Sequence, residues 1–337
     1  MASIADETNH SPIRAAIAGT GSYTPERRLT NDDLAKMVDT SDEWIVQRTG
    51  ISERRIAAPD EPTSAIASRA ATRALKSAKL EAKDLDLIVV ATITPDMMTP
   101  ACACFVAHSL GLDRTPAVDL NAACSGFVYG LQFSSALIES GRYNNILLVG
   151  ADKLSSITDY TDRTSCILWG DGAGAAVLRR TEEDGKGLLF SELHADGGGW
   201  ELINCPVGSR HPINDKMVAA GKHHLQMRGR EVFKFAVTRL DELVDRALRK
   251  TNLSPDDIKL VVPHQSNLRI IDSALNRLGL DRDKAVINID KYGNTSAASV
   301  PIALDEALQQ GRAKEGDLIL FLAVGAGLTW GSALVRL

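Results

Sequence analysis

Apolar residues along this chain gather into short continuous runs bounded by turn residues. In the first half these are IRAAIAGT, LIVVATI, ILLVGAD and AAVLRR; in the second, LLFSEL, IKLVVPH, AVINID, LILFLAV and SALVRL. Runs so uniformly apolar suit strands buried on both faces. Between them the spacing becomes helical over Ser64–Leu80, Ser125–Ser140, Gly229–Thr251, Leu268–Leu278 and Ser296–Gln310. In the third of these, Val232, Phe233, Ala236, Val237, Leu240, Leu243, Val244 and Leu248 recur at steps of three and four, which predicts a helix with one buried face. Strands alternating with helices predict an α/β chain built on parallel sheets.

The pattern also repeats. ILLVGAD followed by GDGAGAAVLRR resembles LILFLAV followed by GAGLTWGSALVRL: a strand, a glycine-rich turn and a final strand in each case. The chain therefore divides into two homologous α/β halves, 12–184 and 185–337, joined near Glu182–Gly187, with residues 1–11 read as a mobile tail. Asp196–His224, rich in Gly, Pro, Asn and His, is the least regular segment and reads as an excursion over the surface or a pocket lid.

Composition narrows the class. With 337 residues, 44% hydrophobic and 24% charged, the chain can bury a large core, and the net charge of -5 argues against a nucleic-acid partner. The longest apolar runs are about half of what a membrane span needs. The polar N-terminus lacks the basic and apolar regions of a secretory signal, so a cytoplasmic location is expected. Five cysteines, Cys102, Cys104, Cys124, Cys166 and Cys205, do not suggest a disulfide framework there, and their spacing does not suggest a metal site.

One cysteine stands apart. NAACSGF, Asn121–Phe127, follows a short strand-like run and leads into a helical pattern, so Cys124 faces a helix N-terminus, an environment that favours the thiolate. VPHQSN places His264 just after a buried strand, and YGNTSAAS places Asn294 in a turn before another helix. Ligands gather at the carboxyl ends of strands in open α/β sheets, where all three residues fall. A Cys, a His and an Asn serve either a papain-like hydrolase or a condensing enzyme that carries its acyl group as a thioester. The glycine clusters Gly170–Ala175 and Gly325–Gly331 have neither phosphate-loop spacing nor a following helix, and fit close backbone approach to a substrate better.

With these motifs in this order, and with GTGSYTPE, DTSDEWIVQRTGI, GDGAGAAVL and GLTWGSALVR in register, the chain resembles the β-ketoacyl-[acyl carrier protein] synthase III family from about Ile13 to Leu337. The resemblance implies a thiolase-like fold in which two sheets sandwich buried helices, in αβαβα layers, and a homodimer. It implies that Cys124 takes an acyl group from acyl-CoA, and that His264 and Asn294 stabilise the enolate from malonyl-acyl carrier protein. The backbone N–H groups of Cys124 and Ala326 would hold the oxyanion. By the same resemblance Trp44, Arg48, Arg163, Gly229, Phe233 and Asn267 bind CoA, and Arg230, Lys234, Arg269 and Arg277 receive the acidic carrier. No cofactor or metal is implied, acyl-CoA being a substrate.

Three departures qualify the resemblance. Thr99 stands where many members carry a Phe that reaches from the partner subunit into the acyl pocket, so primers longer than acetyl are expected. Ala326 replaces the middle of three glycines. The 196–224 segment is longer than usual. A degradative thiolase is disfavoured because no cysteine follows Cys205, and an elongating synthase because Asn294 stands where a second His would be. The alternatives kept are a secondary-metabolite ketosynthase or acyltransferase of the same subfamily and, remotely, a non-catalytic acyl-CoA-binding protein or a peptidase.

Overall fold

The computed structural model describes residues 13–337; the stretch expected to be a tail, residues 1–11, lies outside the described residues. The first sheet contains β1 (Arg14–Tyr23), β2 (Leu87–Ala91), β3 (Ala117–Leu120), β4 (Asn145–Lys153) and β5 (Asp171–Thr181), in the order β1-β5-β4-β2-β3. The second contains β6 (Gly187–Ala195), β7 (Leu260–Pro263), β8 (Leu318–Gly325) and β9 (Thr329–Arg336), in the order β7-β8-β9-β6. Taken from the other edge, β6-β9-β8-β7 repeats β1-β5-β4-β2, with the same senses of pairing.

Both sheets are mixed, not parallel as expected. β2 pairs in parallel with β3 and β4, and β7 with β8, whereas β1-β5, β5-β4, β8-β9 and β9-β6 are antiparallel. Parallel neighbours need a crossover of a dozen or more residues. Only the short segment 326–328 joins β8 to β9, so that pair must turn back on itself.

The run AVINID is a second correction. It occupies the place of a fifth strand in the second sheet, yet touches β7 only at a parallel bridge between Val261 and Ala285. The Gln265 side chain takes the place of a neighbouring strand, donating to the Val286 carbonyl at 3.0 Å and accepting the Asn288 N–H at 3.1 Å. With its backbone groups satisfied in this way, the run turns into the short helix Ile289–Tyr292.

Helices complete five layers. Outside the first sheet lie α2 (Thr63–Ala78) and α3 (Cys102–Ser109), preceded in the chain by the short α1 (Asp42–Thr49). Between the sheets lie α4 (Gly126–Glu139) and α7 (Ser299–Gln309), whose Phe127, Leu131, Val300 and Leu304 pack with Leu148 and Phe321 of the two sheets. Outside the second sheet lie α5 (Gly229–Thr251) and α6 (Leu268–Leu278), with the bounds the spacing predicts. The 196–224 segment holds a 3-10 turn (Gly197–Leu202) and a short helix (Asp215–Ala219). All five cysteines are free. Among the described residues no helix is long and apolar enough to cross a membrane.

Candidate active site

The two central helices are each entered through a 3-10 turn, Ala123–Ser125 before α4 and Ser296–Ala298 before α7, and these turns meet at the middle of the molecule. Each contains a non-glycine residue with positive φ, Ala123 at 47° and Ser296 at 51°. Such backbone costs about 1–3 kcal/mol and concentrates at functional sites. Cys124 sits in the first turn, Asn294 just before the second, and His264 directly after β7. The end of β8 comes so close that a Cβ on Gly325 would meet the backbone nitrogens of Cys124 and Ser125 at 2.9 Å. The start of β9 is tied to the same turn: the Thr329 hydroxyl donates to the Ala122 carbonyl at 2.9 Å, and the Ser125 hydroxyl to the Thr329 carbonyl at 3.1 Å.

Each polar side chain here is held on one side. The Asn294 Oδ1 accepts the Ser296 N–H at 2.9 Å, which leaves the Nδ2 hydrogens for the cavity that Asn294 lines. His264 Nδ1 lies 2.6 Å from the Ser299 hydroxyl, which leaves Nε2 as its other polar atom. Burial without a counter-charge drives the His264 pKa down to about 3, so the ring is neutral.

The expectation that a helix N-terminus favours the Cys124 thiolate is not met. Burial pushes the thiol up to about 12. The nearby Ser296 hydroxyl acts in the opposite direction, and the buried Asp152 carboxylate adds to the rise. Desolvation wins because the Cys124 side chain is buried.

Cys124, His264, Asn294 and Ala326 line one cavity of about 580 Å³. Trp44, Arg48, Gly229, Phe233 and Asn267 line it too, with Arg230 and Arg269 among its exposed residues. Arg163 does not, but its guanidinium lies 5.2 Å from the Trp44 ring, and that of Arg48 lies 5.5 Å away, so cations already attend the indole. Asn267 caps α6 by accepting the Arg269 N–H and donates to the Arg48 carbonyl at 3.0 Å, joining α6 to α1. Ala326 is not among the positive-φ residues, so its Cβ is accommodated.

Besides Arg163, three expected residues lie outside the cavity lining. Thr99 is exposed on the loop before α3, beside the exposed Met97 and Met98. Lys234 is exposed on α5. Arg277 is engaged at both Nε and Nη2 by Asp245, so its charge is largely spent within the fold.

Sequence reasoning missed the apolar walls Leu168, Trp169, Ile203, Met227, Val324 and Leu328, which lie in runs it read as strand or loop. It also missed Arg54, fully buried, which donates to the carbonyls of Leu29 and Ile167 and to Asn31 Oδ1, and so holds the strand Glu53–Ile56 against the segment that leads to Trp169. Among the described residues no group of three His, Cys, Asp or Glu side chains is placed to hold a metal.

Comparison with known proteins identifies the family. The family model for 3-oxoacyl-[acyl-carrier-protein] synthase III matches residues 118–197, and the model for its C-terminal part matches residues 248–337. The β-ketoacyl-[acyl-carrier-protein] synthase III of Caldanaerobacter subterraneus subsp. tengcongensis is 53% identical over 325 residues, 96% of this chain and 98% of that protein. The crystal structure of 3-oxoacyl-[acyl-carrier-protein] synthase III from Aquifex aeolicus superposes with a TM-score of 0.89 at 46% identity, over 96% of this chain and all of that one (100%). The priming β-ketosynthase of the R1128 polyketide pathway gives the same TM-score, 0.89, at 34% identity over 96% of each chain. Identity at this level over nearly the whole chain makes it a member of the β-ketoacyl-[acyl-carrier-protein] synthase III family of condensing acyltransferases.

Proposed function

We propose that this protein transfers an acyl group from acyl-CoA to Cys124 and condenses it with malonyl-acyl carrier protein, giving a 3-oxoacyl-carrier protein, CoA and CO2, the first condensation of fatty acid synthesis. The observation that carries this reading is the convergence of Cys124, His264 and Asn294 on one cavity whose exposed end is an indole flanked by two guanidinium groups.

In the first step Cys124 Sγ bonds to the acyl carbon, the carbon–sulfur bond to CoA breaks, and the thiol proton ends on the CoA sulfur. The thioester so formed remains an activated electrophile. In the second, the malonyl group loses CO2, and the electron pair of the broken C–C bond becomes an enolate on the thioester oxygen. His264 Nε2–H and Asn294 Nδ2–H donate to that oxygen. The enolate carbon then attacks the acyl carbon, with the Cys124 and Ala326 N–H groups receiving the tetrahedral oxyanion. Collapse expels Cys124 as thiolate, which regains a proton from water.

Trp44, Arg48 and Arg163 would take the adenine end of CoA, with Gly229, Phe233 and Asn267 along the pantetheine. Arg230, Lys234 and Arg269 would meet the acidic carrier, with Arg277 contributing less because of Asp245. The halves 12–184 and 185–337 would derive from a duplication, which the shared strand order supports. A homodimer is proposed on the exposed β3 edge, with Thr99 of each subunit closing the acyl end of its partner's cavity.

The test is intact-protein mass spectrometry on wild type and Cys124→Ala, incubated with acyl-CoAs from acetyl to dodecanoyl and then with malonyl-carrier protein. Wild type alone should gain the acyl mass and lose it as 3-oxoacyl product appears. Acylation that malonyl-carrier protein cannot discharge would instead identify an acyltransferase using another acceptor, and acylation of Cys124→Ala would overturn the mechanism.

A further inference from the structure

For a buried neutral imidazole, the nitrogen that carries the hydrogen decides whether the cavity-facing atom donates or accepts. His264 is 4% exposed, and its Nδ1 lies 2.6 Å from Ser299 Oγ. Ser299, 2% exposed, is at the first turn of the central helix α7, where packing from both sheets fixes its position. Its oxygen also accepts the backbone N–H of Gln265, at 3.4 Å.

A hydroxyl has one hydrogen to give. If Nδ1 carried the imidazole hydrogen, Ser299 Oγ would receive two donors while its own hydrogen, buried, found no acceptor among the described residues. If Nδ1 is bare, the Ser299 hydrogen goes to Nδ1, the Gln265 N–H goes to Oγ, and every group is paired. The second arrangement places the imidazole hydrogen on Nε2.

We infer that Ser299 is a positioning residue that locks His264 in the Nε2–H tautomer, and so makes it a donor to the developing enolate and not a base. No part of the acyl transfer to Cys124 uses that hydrogen, so the influence of Ser299 falls on decarboxylation and condensation alone. This inference rests on the functional reading given above. A matching device orients the other donor, since the Ser296 N–H occupies Asn294 Oδ1; there the backbone does the work, whereas at His264 a side chain does, and a side chain can be removed.

The test has two arms. In wild type labelled with 15N-histidine, the His264 signal, assigned by its loss in His264→Asn, should show a protonated Nε2 and a bare Nδ1 at pH 7. A protonated Nδ1 would overturn the inference without any variant of Ser299 needing to fold. In the second arm, Ser299→Ala should decarboxylate malonyl-carrier protein roughly 10- to 100-fold more slowly, acylate Cys124 within twofold of wild type and show a mixed tautomer, with Ser299→Thr restoring most of the rate. Equal loss of both half-reactions, or retention of decarboxylation in Ser299→Ala, would reject the role. Absence of decarboxylation in wild type would instead reject the functional reading on which the role depends.

Discussion

At the floor of the cavity one cause moves two pKa values in opposite directions: burial raises the Cys124 thiol and lowers the His264 imidazolium, so both rest uncharged. Alkylation of Cys124 by iodoacetamide should therefore keep rising, about tenfold per pH unit, with no plateau from pH 7 to 10; a plateau near pH 7 would mean a free thiolate. Ser296→Ala should slow alkylation further, because the hydroxyl favours the anion. His264 links to stability with a definite sign. The unfolded chain takes up its proton near pH 6.5 and the folded chain only near 3, so folding stability is lost as pH falls through that interval, by about 1.4 kcal/mol per unit. Urea unfolding of wild type against His264→Gln at pH 7, 6 and 5 should show the wild type losing stability relative to the variant; parallel behaviour would show that the folded ring takes up its proton as readily as the unfolded one. Cys124, His264 and Asn294 were legible in the sequence because each stands at the break between a strand-like run and a helical one. Ser299 was not, being one more small residue in a run of them, and Arg54 was hidden because an arginine in ERRI reads as exposed.

Among the elements, helices were most legible where one face is buried. α5 and α6 alternate apolar and charged residues strongly enough to give their ends as well as their course. α1 was missed because its sequence is mostly polar; it forms because the Ser41 side chain accepts the Trp44 N–H, acids occupy its first turn and Gly50 closes it at a φ of 80°. AVINID misled because an apolar run shows burial without showing which groups satisfy its backbone. The approach of β8 to the Cys124 turn yields a sharp expectation. Gly325→Ala must push the strand or the turn away, since the added carbon meets two backbone nitrogens at 2.9 Å. Acylation of Cys124 should fall by roughly 100-fold, with circular dichroism unchanged. Near-wild-type acylation would mean that the turn yields without penalty. At the cavity's exposed end, Trp44→Ala should raise the KM for acyl-CoA by roughly tenfold and leave kcat within threefold, because removing a stacking face costs about 1–2 kcal/mol of binding. A kcat effect instead would place the indole in the chemistry.

For the whole molecule, layer architecture and the repeated strand order were legible because the same strand, glycine-rich turn and strand recur, whereas mixed pairing depends on which connections contain a helix. If Thr99 closes the partner's cavity, Thr99→Phe should shift the acyl-CoA panel toward acetyl and shorter primers; an unchanged profile would separate the loop from the pocket. Val118 on β3 and Phe133 on α4 are exposed; if the proposed homodimer forms on this face, wild type should sediment at twice the chain mass in analytical ultracentrifugation and Val118→Glu at single mass.

The incomplete fifth strand of the second half bears on the same edge. β1 and β6, the inner edges of the two sheets, touch within the chain, and the outer edge β7 is blunted by the segment at Ala285. Among the described residues, β3 is the one edge of the two main sheets left open for strand pairing. A chain with two complete halves would carry an open edge at each end and could grow by end-to-end addition. With that strand missing, the fold offers a valence of one: if the proposed homodimer pairs through β3, neither copy has a main-sheet edge left to offer, and assembly stops at a pair.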